Sequence, residues 1–180
     1  AVLRAVEILA QLHERMRHTP NTPPRSLDRP VVLQSDRITF ELTKTQRPQV
    51  ERELGIAFSY PARGWHTYAT KESGKSCLLS AFYKNDALVA AELYVPRTGN
   101  TPSLAARNLG GFHLEPGRIP IGASADAITQ FFTPAVGGPG NVVYDRVFEA
   151  RFPGGVAYAM ARKGFIERLA LYAHLAPEIR

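Results

Sequence analysis

The sequence aligns with itself at an offset of about 78 residues, 42–95 against 120–173, without a gap. Apolar positions coincide along this alignment, as Val50 does with Ile128. The other coinciding pairs are Leu54 with Phe132, Trp65 with Val143, Leu78 with Val156, Phe82 with Met160, and Tyr94 with Tyr172. Self-similarity at a fixed offset is typical of chains built from repeated structural units. We therefore expect two copies of one small unit that share a surface.

The composition is that of a globular protein. The chain has 180 residues, of which 44% are hydrophobic and 21% charged, enough for a sizeable core. Its net charge of +6 is spread evenly and forms no basic run, which argues against nucleic acid as a partner. No apolar stretch approaches the ~18 residues of a membrane-spanning helix. We expect a protein that neither spans a membrane nor binds nucleic acid.

The first part of the chain is predicted to be a helical arm on a linker. Residues 1–17 carry apolar side chains at helical spacing, namely Val2, Val6, Leu9, Leu12 and Met16. Residues 18–33 contain four prolines, which exclude regular structure and favour an extended linker. Because a lone amphipathic helix has to bury its apolar stripe, the arm packs on the body of the protein or docks on another chain.

The rest of the chain is predicted to form two α+β repeats, 34–96 and 118–180, joined by a connector over 97–117. The first has a helix over 44–54, stopped by Gly55, and strands over 65–70, 77–83 and 88–95. The second has a helix over 124–132, capped by Ser124, and strands over 142–152, 156–162 and 165–173. A helix followed by a three-stranded antiparallel meander, twice, is an α+β fold.

Short motifs in the first repeat resemble the SmpA/OmlA domain, a lipoprotein module of the outer-membrane β-barrel assembly machinery. Thr43-Lys44-Thr45, Val50 and Leu54-Gly55 match that family's helix, and Trp65-His66-Thr67-Tyr68 matches its aromatic strand. A tandem pair is also similar in arrangement to the β-lactamase inhibitor protein. The resemblance implies a bacterial protein of the periplasm or envelope with a role in protein binding, whereas without it a cytoplasmic location is expected. The chain lacks the lipoprotein cysteine at its start, and the second repeat lacks the Trp and the Leu-Gly pair.

Catalytic, cofactor and metal sites are not predicted. Gly74-Lys75-Ser76 ends like a phosphate-binding loop, but the earlier glycine of that motif is replaced by Ala69 and a strand follows instead of a helix. The five histidines are scattered, and none forms the close His/Cys/Asp pairing that a zinc site demands. We therefore expect a protein that is not an enzyme and holds no cofactor or metal.

Strand alternation instead predicts an aromatic sheet face that binds another protein. Its predicted partner-binding residues are Tyr68, Phe82, Tyr94, Tyr144, Arg146, Tyr158, Arg168 and Tyr172. Tyr, Phe and Arg are enriched at protein interfaces, so the chain is interpreted as a binding module or assembly factor.

Three alternatives to an open binding face stay open. The face is instead a second core if the arm or the linker covers it. The chain is a ligand-binding or enzymatic cone-shaped α+β domain if polar groups such as His66, Tyr68 and Asp145 converge in a cavity. It is a structural subunit of a larger complex if helix 1–17 anchors it to a partner chain.

Overall fold

The computed structural model describes residues 25–60, 64–96, 109, 111–135 and 144–174. The predicted helix 1–17 lies outside the described residues, as do the start of the linker and most of the connector.

Strands make up more than half of the described residues. The strands are β1 (Arg25–Ser26), β2 (Val32–Gln34), β3 (Thr39–Phe40), β4 (Phe58–Tyr60), β5 (Trp65–Glu72), β6 (Lys75–Lys84), β7 (Ala87–Tyr94), β8 (His113–Glu115), β9 (Ile119–Pro120), β10 (Thr133–Pro134), β11 (Arg146–Phe152), β12 (Gly155–Arg162) and β13 (Phe165–Ala173). The helices are α1 (Arg47–Leu54) and a short 3-10 helix (Ala125–Ile128).

Most of these strands form one mixed, nine-stranded sheet with the order β1-β11-β12-β13-β7-β6-β5-β4, in which β10 also pairs with β11. Strands β5 to β7 and β11 to β13 are antiparallel meanders, and antiparallel pairing of β7 with β13 joins them at the centre. Only β1 pairs in parallel among the described strands of this sheet, beside β11 at one edge. A four-stranded sheet of order β3-β2-β8-β9 is separate from it.

One face of the large sheet bears the main core. The helices and the small sheet supply Val50, Ile128, Leu33 and Leu114, which are buried together with core side chains of the long strands such as Leu79. Alternation along β6, β7, β12 and β13 supplies these side chains to one face, as expected for a half-covered antiparallel sheet.

The predicted α+β fold of two tandem repeats is wrong. The described chain is mostly β, with one large mixed sheet and a single α-helix. The helix predicted over 124–132 is only the 3-10 helix Ala125–Ile128, although the Ser124 hydroxyl does accept a hydrogen bond from Asp126 N, at 3.4 Å. The chain turns after Ile128, whose carbonyl accepts hydrogen bonds from Phe131 N and Phe132 N, and enters β10 at once. Pairing of β10 with β11 therefore overrides the helical pattern of this segment.

The long strands nevertheless lie close to the predicted segments. The two-residue turn Asn85-Asp86 between β6 and β7 has positive φ at both positions, as tight hairpins require. The helix predicted from 44 begins at Arg47 with Pro48 in its first turn, and it ends at Leu54 before Gly55. Turn residues and a helix-stop residue therefore allowed the long strands and α1 to be predicted from the sequence. The very short strands carry no periodic pattern and were not predicted; these are β1, β2, β8, β9 and β10.

Gly155 lies where the large sheet packs against the main core, so a substitution at this position tests that packing. A Cβ at this position would lie 2.7 Å from Leu42 Cδ1, 2.7 Å from the Tyr172 carbonyl oxygen and 2.8 Å from Phe152 Cζ. We expect Gly155→Ala to lower the free energy of unfolding by about 2–3 kcal/mol, measured by urea denaturation. Gly154→Ala is the control, since its Cβ meets no atom and it loses only ~1 kcal/mol to its φ of 89°. Equal losses at the two positions would contradict this packing.

Candidate binding face of the sheet

The face of the large sheet that points away from the main core carries a second apolar cluster, here named the aromatic face. Its members are Trp65, Phe82, Ala90, Ala135, Tyr144, Val147, Val156, Tyr158, Met160, Ala170 and Tyr172. Tyr94 and Arg168 share this face, because they are directly opposite each other on β7 and β13 and Arg168 is also opposite Met160. The cluster thus crosses six strands, from β5 to β11.

Six of the eight predicted partner-binding residues lie together on the aromatic face. These are Phe82, Tyr94, Tyr144, Tyr158, Arg168 and Tyr172. Whether they bind a partner stays a prediction, but the structure brings them onto one surface.

Tyr68 and Arg146 lie on the other face. Tyr68 is opposite Leu79 in the β5–β6 register and is buried in the main core, with its hydroxyl 3.4 Å from that of Tyr83. Arg146 Nη1 donates a hydrogen bond to Asp126 Oδ1 at 2.9 Å. Alternation along one strand predicts which of its side chains share a face. Which face of the next strand they join depends on the register between the strands, and sequence alone does not provide that register.

A buried polar network lies at the centre of the aromatic face. Arg168 Nη2 and the Tyr172 hydroxyl donate hydrogen bonds to the two carboxylate oxygens of Glu92. The Glu92 and Arg168 side chains are only 11% and 22% exposed. The Arg168 guanidinium also lies 5.5 Å from the centre of the Tyr94 ring, within cation–π range. A charge pair is thereby held in fixed orientation among aromatic side chains.

The electrostatic environment of this network favours the protonated Tyr172 hydroxyl, which donates a hydrogen bond to Glu92. Burial raises the pKa of the Tyr172 hydroxyl, and the neighbouring Glu92 charge raises that pKa further. Tyr172 therefore remains protonated at physiological pH. Arg168 keeps one unmet donor, since its buried Nε has no hydrogen-bond partner among the described residues.

Partly exposed aromatic rings surround the network. Trp65 and Phe82 pack edge to face at 5.6 Å between ring centres, and Tyr158 and Tyr172 do so at 5.9 Å. Trp65, Phe82, Tyr94 and Tyr158 each retain part of their surface for solvent. Rings held by their neighbours lose little conformational entropy on binding, which suits them to contact a partner.

Glu92 and Trp65 belong to this surface but were not among the predicted binding residues. The available signal was strand parity, since Glu92 is two residues before Tyr94 on β7 and therefore points to the same face. Which side chains lie next to Glu92 and Trp65 depends on the register between strands, which the sequence does not provide.

The polar groups of the cavity alternative do not converge. His66 and Tyr68 both contact Tyr83, the first ring to ring at 5.2 Å. Asp145 instead accepts a hydrogen bond from Lys163 N at 2.8 Å. It lies beside β11, and four strands separate β11 from β5 in the sheet order. An acid–base set of these three side chains is therefore excluded.

A cavity of about 600 Å³ lies elsewhere, between the β5–β6 turn and the β8–β9 hairpin. Its lining includes Lys71, Glu72, His113 and Arg118. The Glu72 carboxylate is buried and accepts a hydrogen bond from Phe112 N at 2.6 Å. Burial raises the pKa of Glu72, although the Phe112 amide opposes this change.

Three further observations bear on function. In the described ranges, no three His, Cys, Asp or Glu side chains are grouped so that they could hold a metal ion. Within those ranges, too, no helix combines the length and apolarity needed to cross a bilayer. Cys77 is buried, and burial raises the pKa of its thiol to about 12, which makes it a poor nucleophile.

Comparison with known proteins leaves the family open. No family model and no curated protein matches the chain. A solved structure, a cysteine-rich secretory protein from Staphylococcus aureus subsp. aureus Mu50, is similar to 74% of this chain with 11% sequence identity and a TM-score of 0.41. The similar region spans 43% of that protein, and a likeness this low carries no argument about fold or function. The resemblance to SmpA/OmlA domains, and the envelope location it implies, are untested by these comparisons.

Glu92 and Arg168 allow a test of the buried charge pair. We expect Glu92→Met to lower the free energy of unfolding by about 3 kcal/mol, because it leaves the Arg168 charge without its partner. The double variant Glu92→Met/Arg168→Met should recover part of that loss, since an apolar pair suits this face. Urea denaturation of the parent, Glu92→Met, Arg168→Met and the double variant completes a double-mutant cycle. Additive losses would show that the two charges are not coupled.

Glu72 gives a prediction for pH dependence. The pKa of Glu72 is raised in the folded state. Glu72 therefore contributes fully to the free energy of unfolding below its unfolded-state pKa of ~4.3, and this contribution is lost as pH rises through the folded-state pKa. Glu72→Gln keeps an acceptor for Phe112 N but cannot ionise. The stability of this variant relative to the parent should therefore rise with pH above ~4, measured by urea denaturation across a pH series. A stability difference between Glu72→Gln and the parent that does not change with pH would contradict this prediction.

Proposed function

We propose that this chain is a non-catalytic protein-binding module or assembly factor whose contact surface is the aromatic face. The observation that carries the proposal is the set of partly exposed rings around the buried Glu92–Arg168–Tyr172 network. Aromatic, Met and Arg side chains are the types most enriched at interface hot spots, and here they are contiguous.

Binding energy comes first from burial of the rings. Phe82, Tyr94 and Tyr158 each have surface left to bury, and fixed ring–ring contacts limit the entropy they lose. Removal of this apolar area from water would contribute about 25 cal/mol per Å² before the costs of association. The three rings therefore supply the anchors of the proposed interface.

Selectivity comes from the charge pair. Glu92 already accepts from Arg168 and from Tyr172, so its two oxygens are engaged. The donor still unmet within the described structure is Arg168 Nε. Because Arg168 Nε is itself buried, a partner does not reach that atom; the fixed orientation of the Glu92–Arg168 pair instead sets the charge pattern that a partner has to complement.

The partner is sought by affinity capture from extract of the native cells with the intact chain as bait. Tyr94→Ala and Tyr158→Ala should each weaken binding of the captured protein by at least about tenfold, measured by titration calorimetry. Ile56→Ala is the matched control, because Ile56 is a large, 94% exposed apolar side chain outside the aromatic face. Unchanged affinity in both tyrosine variants, or an equal loss in the control, would refute the proposed surface.

A further inference from the structure

The cavity between the β5–β6 turn and the β8–β9 hairpin is built around a contact that joins the two sheets. At the end of β5, the Glu72 carboxylate accepts a hydrogen bond from Phe112 N, which directly precedes β8 of the small sheet, at 2.6 Å. Both hairpin turns are tight, with φ of 48° at Ser73 in one and 49° at Arg118 in the other. The walls of this cavity, whose volume is about 600 Å³, are therefore preformed.

Basic side chains predominate in the lining of the cavity. Lys71, His113 and Arg118 line it, and Glu72 is the only acidic side chain among the described lining residues. His113 Nε2 lies 3.2 Å from Glu115 Oε1 and is therefore already engaged. The positive charge available to a ligand thus comes from Lys71 and Arg118.

These two cations are exposed, so they lie at the mouth of the cavity. No ion pair joins Lys71 or Arg118 to another residue of the described ranges. Basic side chains elsewhere in the described structure are paired, as Arg47 is with Asp86 at 2.7 Å. A ligand that brings an anionic group to this mouth therefore breaks no existing ion pair among the described residues when it binds.

Glu72 does not cancel the charge at the mouth, because its carboxylate lies in the interior. Glu72 is only 3% exposed and is bound to Phe112 N. Burial raises the pKa of this carboxyl group and so favours its neutral form. Its remaining negative charge repels an anion placed deep in the cavity, which leaves the mouth as the position for an anionic group.

We propose that this cavity binds a small organic anion through a carboxylate or phosphate group that pairs with Lys71 and Arg118. The guanidinium of Arg118 can donate to two oxygens of such a group at once, and the Lys71 ammonium adds a point charge. A cavity of this volume suits a ligand of metabolite size. None of the described lining residues belongs to the aromatic face, so the site is independent of the proposed function.

Titration of the full chain with simple ions, followed by amide NMR, tests the site. The anionic probes are inorganic phosphate and succinate, and the cationic control is 1,4-diaminobutane, which matches succinate in chain length. We expect at least one anion to shift the amide signals of Gly74, Gly111 and Phe112 to saturation, and diaminobutane to leave them unchanged. A shift with phosphate alone or succinate alone supports the site and identifies the group it prefers. No saturable shift with either anion, or an equal shift with diaminobutane, would overturn the proposal.

Charge-removing variants separate this site from general attraction to a basic protein. Arg118→Gln and Lys71→Gln should each weaken binding of the better anion by about tenfold or more, because each removes a charge-assisted hydrogen bond. Lys163→Gln is the matched control and should leave the affinity unchanged. Lys163 is an exposed basic residue outside the lining, in the β12–β13 turn, and its φ of 52° is close to that of Arg118. Unchanged affinity in both lining variants, or an equal loss in the control, would refute the site.

Glu72→Gln tests the sign of the charge that the site selects. The substitution keeps an acceptor for Phe112 N and removes the negative charge from the described lining. We therefore expect the anion to bind severalfold more tightly to this variant than to the parent, measured by the same titration. Weaker binding would show that the ligand donates to Glu72, which would overturn the assignment of the cavity as an anion site.

Discussion

The pairing of β7 with β13 is the contact on which the rest of the structure depends. It joins two antiparallel meanders that are about 80 residues apart in the chain into one sheet. Its register places Tyr94 opposite Arg168 and Glu92 opposite Ala170. The Glu92 carboxylate thereby comes within reach of both Arg168 and Tyr172. A slip of one residue would send these polar side chains into the main core, where each would lose its partner, so the network and the register reinforce each other.

This register also divides the sheet into two different faces. The main core has the helix, the 3-10 helix and the small sheet over it and contains almost no charge apart from Glu72. The aromatic face has a charged network at its centre and half-exposed rings around it. Buried charge pairs stabilise a fold little when compared with apolar residues, but they are costly to separate and therefore favour one arrangement. This difference supports the proposal that the aromatic face is the surface that contacts a partner.

The sequence predicted the elements better than their assembly. Turn residues such as Asn85-Asp86 and the alternation in β6, β7, β12 and β13 located the long strands, because these signals are local. The predicted helix at 124–132 and the fold class were wrong, since pairing of β10 with β11 is a long-range contact that outweighs helical periodicity. Six predicted binding residues share a face, whereas Tyr68 and Arg146 do not, because their placement depends on register between strands. Glu92 could be assigned to the face by parity, but its two hydrogen-bond donors come from another strand.

The proposed contact surface is apolar, and its exposure carries a cost. Large apolar patches are rare on monomeric proteins, because they favour aggregation when uncovered. The charge pair of Glu92 and Arg168 interrupts this apolar surface, because it lies among the rings at the centre of the face. A partner of the proposed interface therefore has to fit both the rings and the fixed charge pair, which links the buried network to the selectivity of the whole surface.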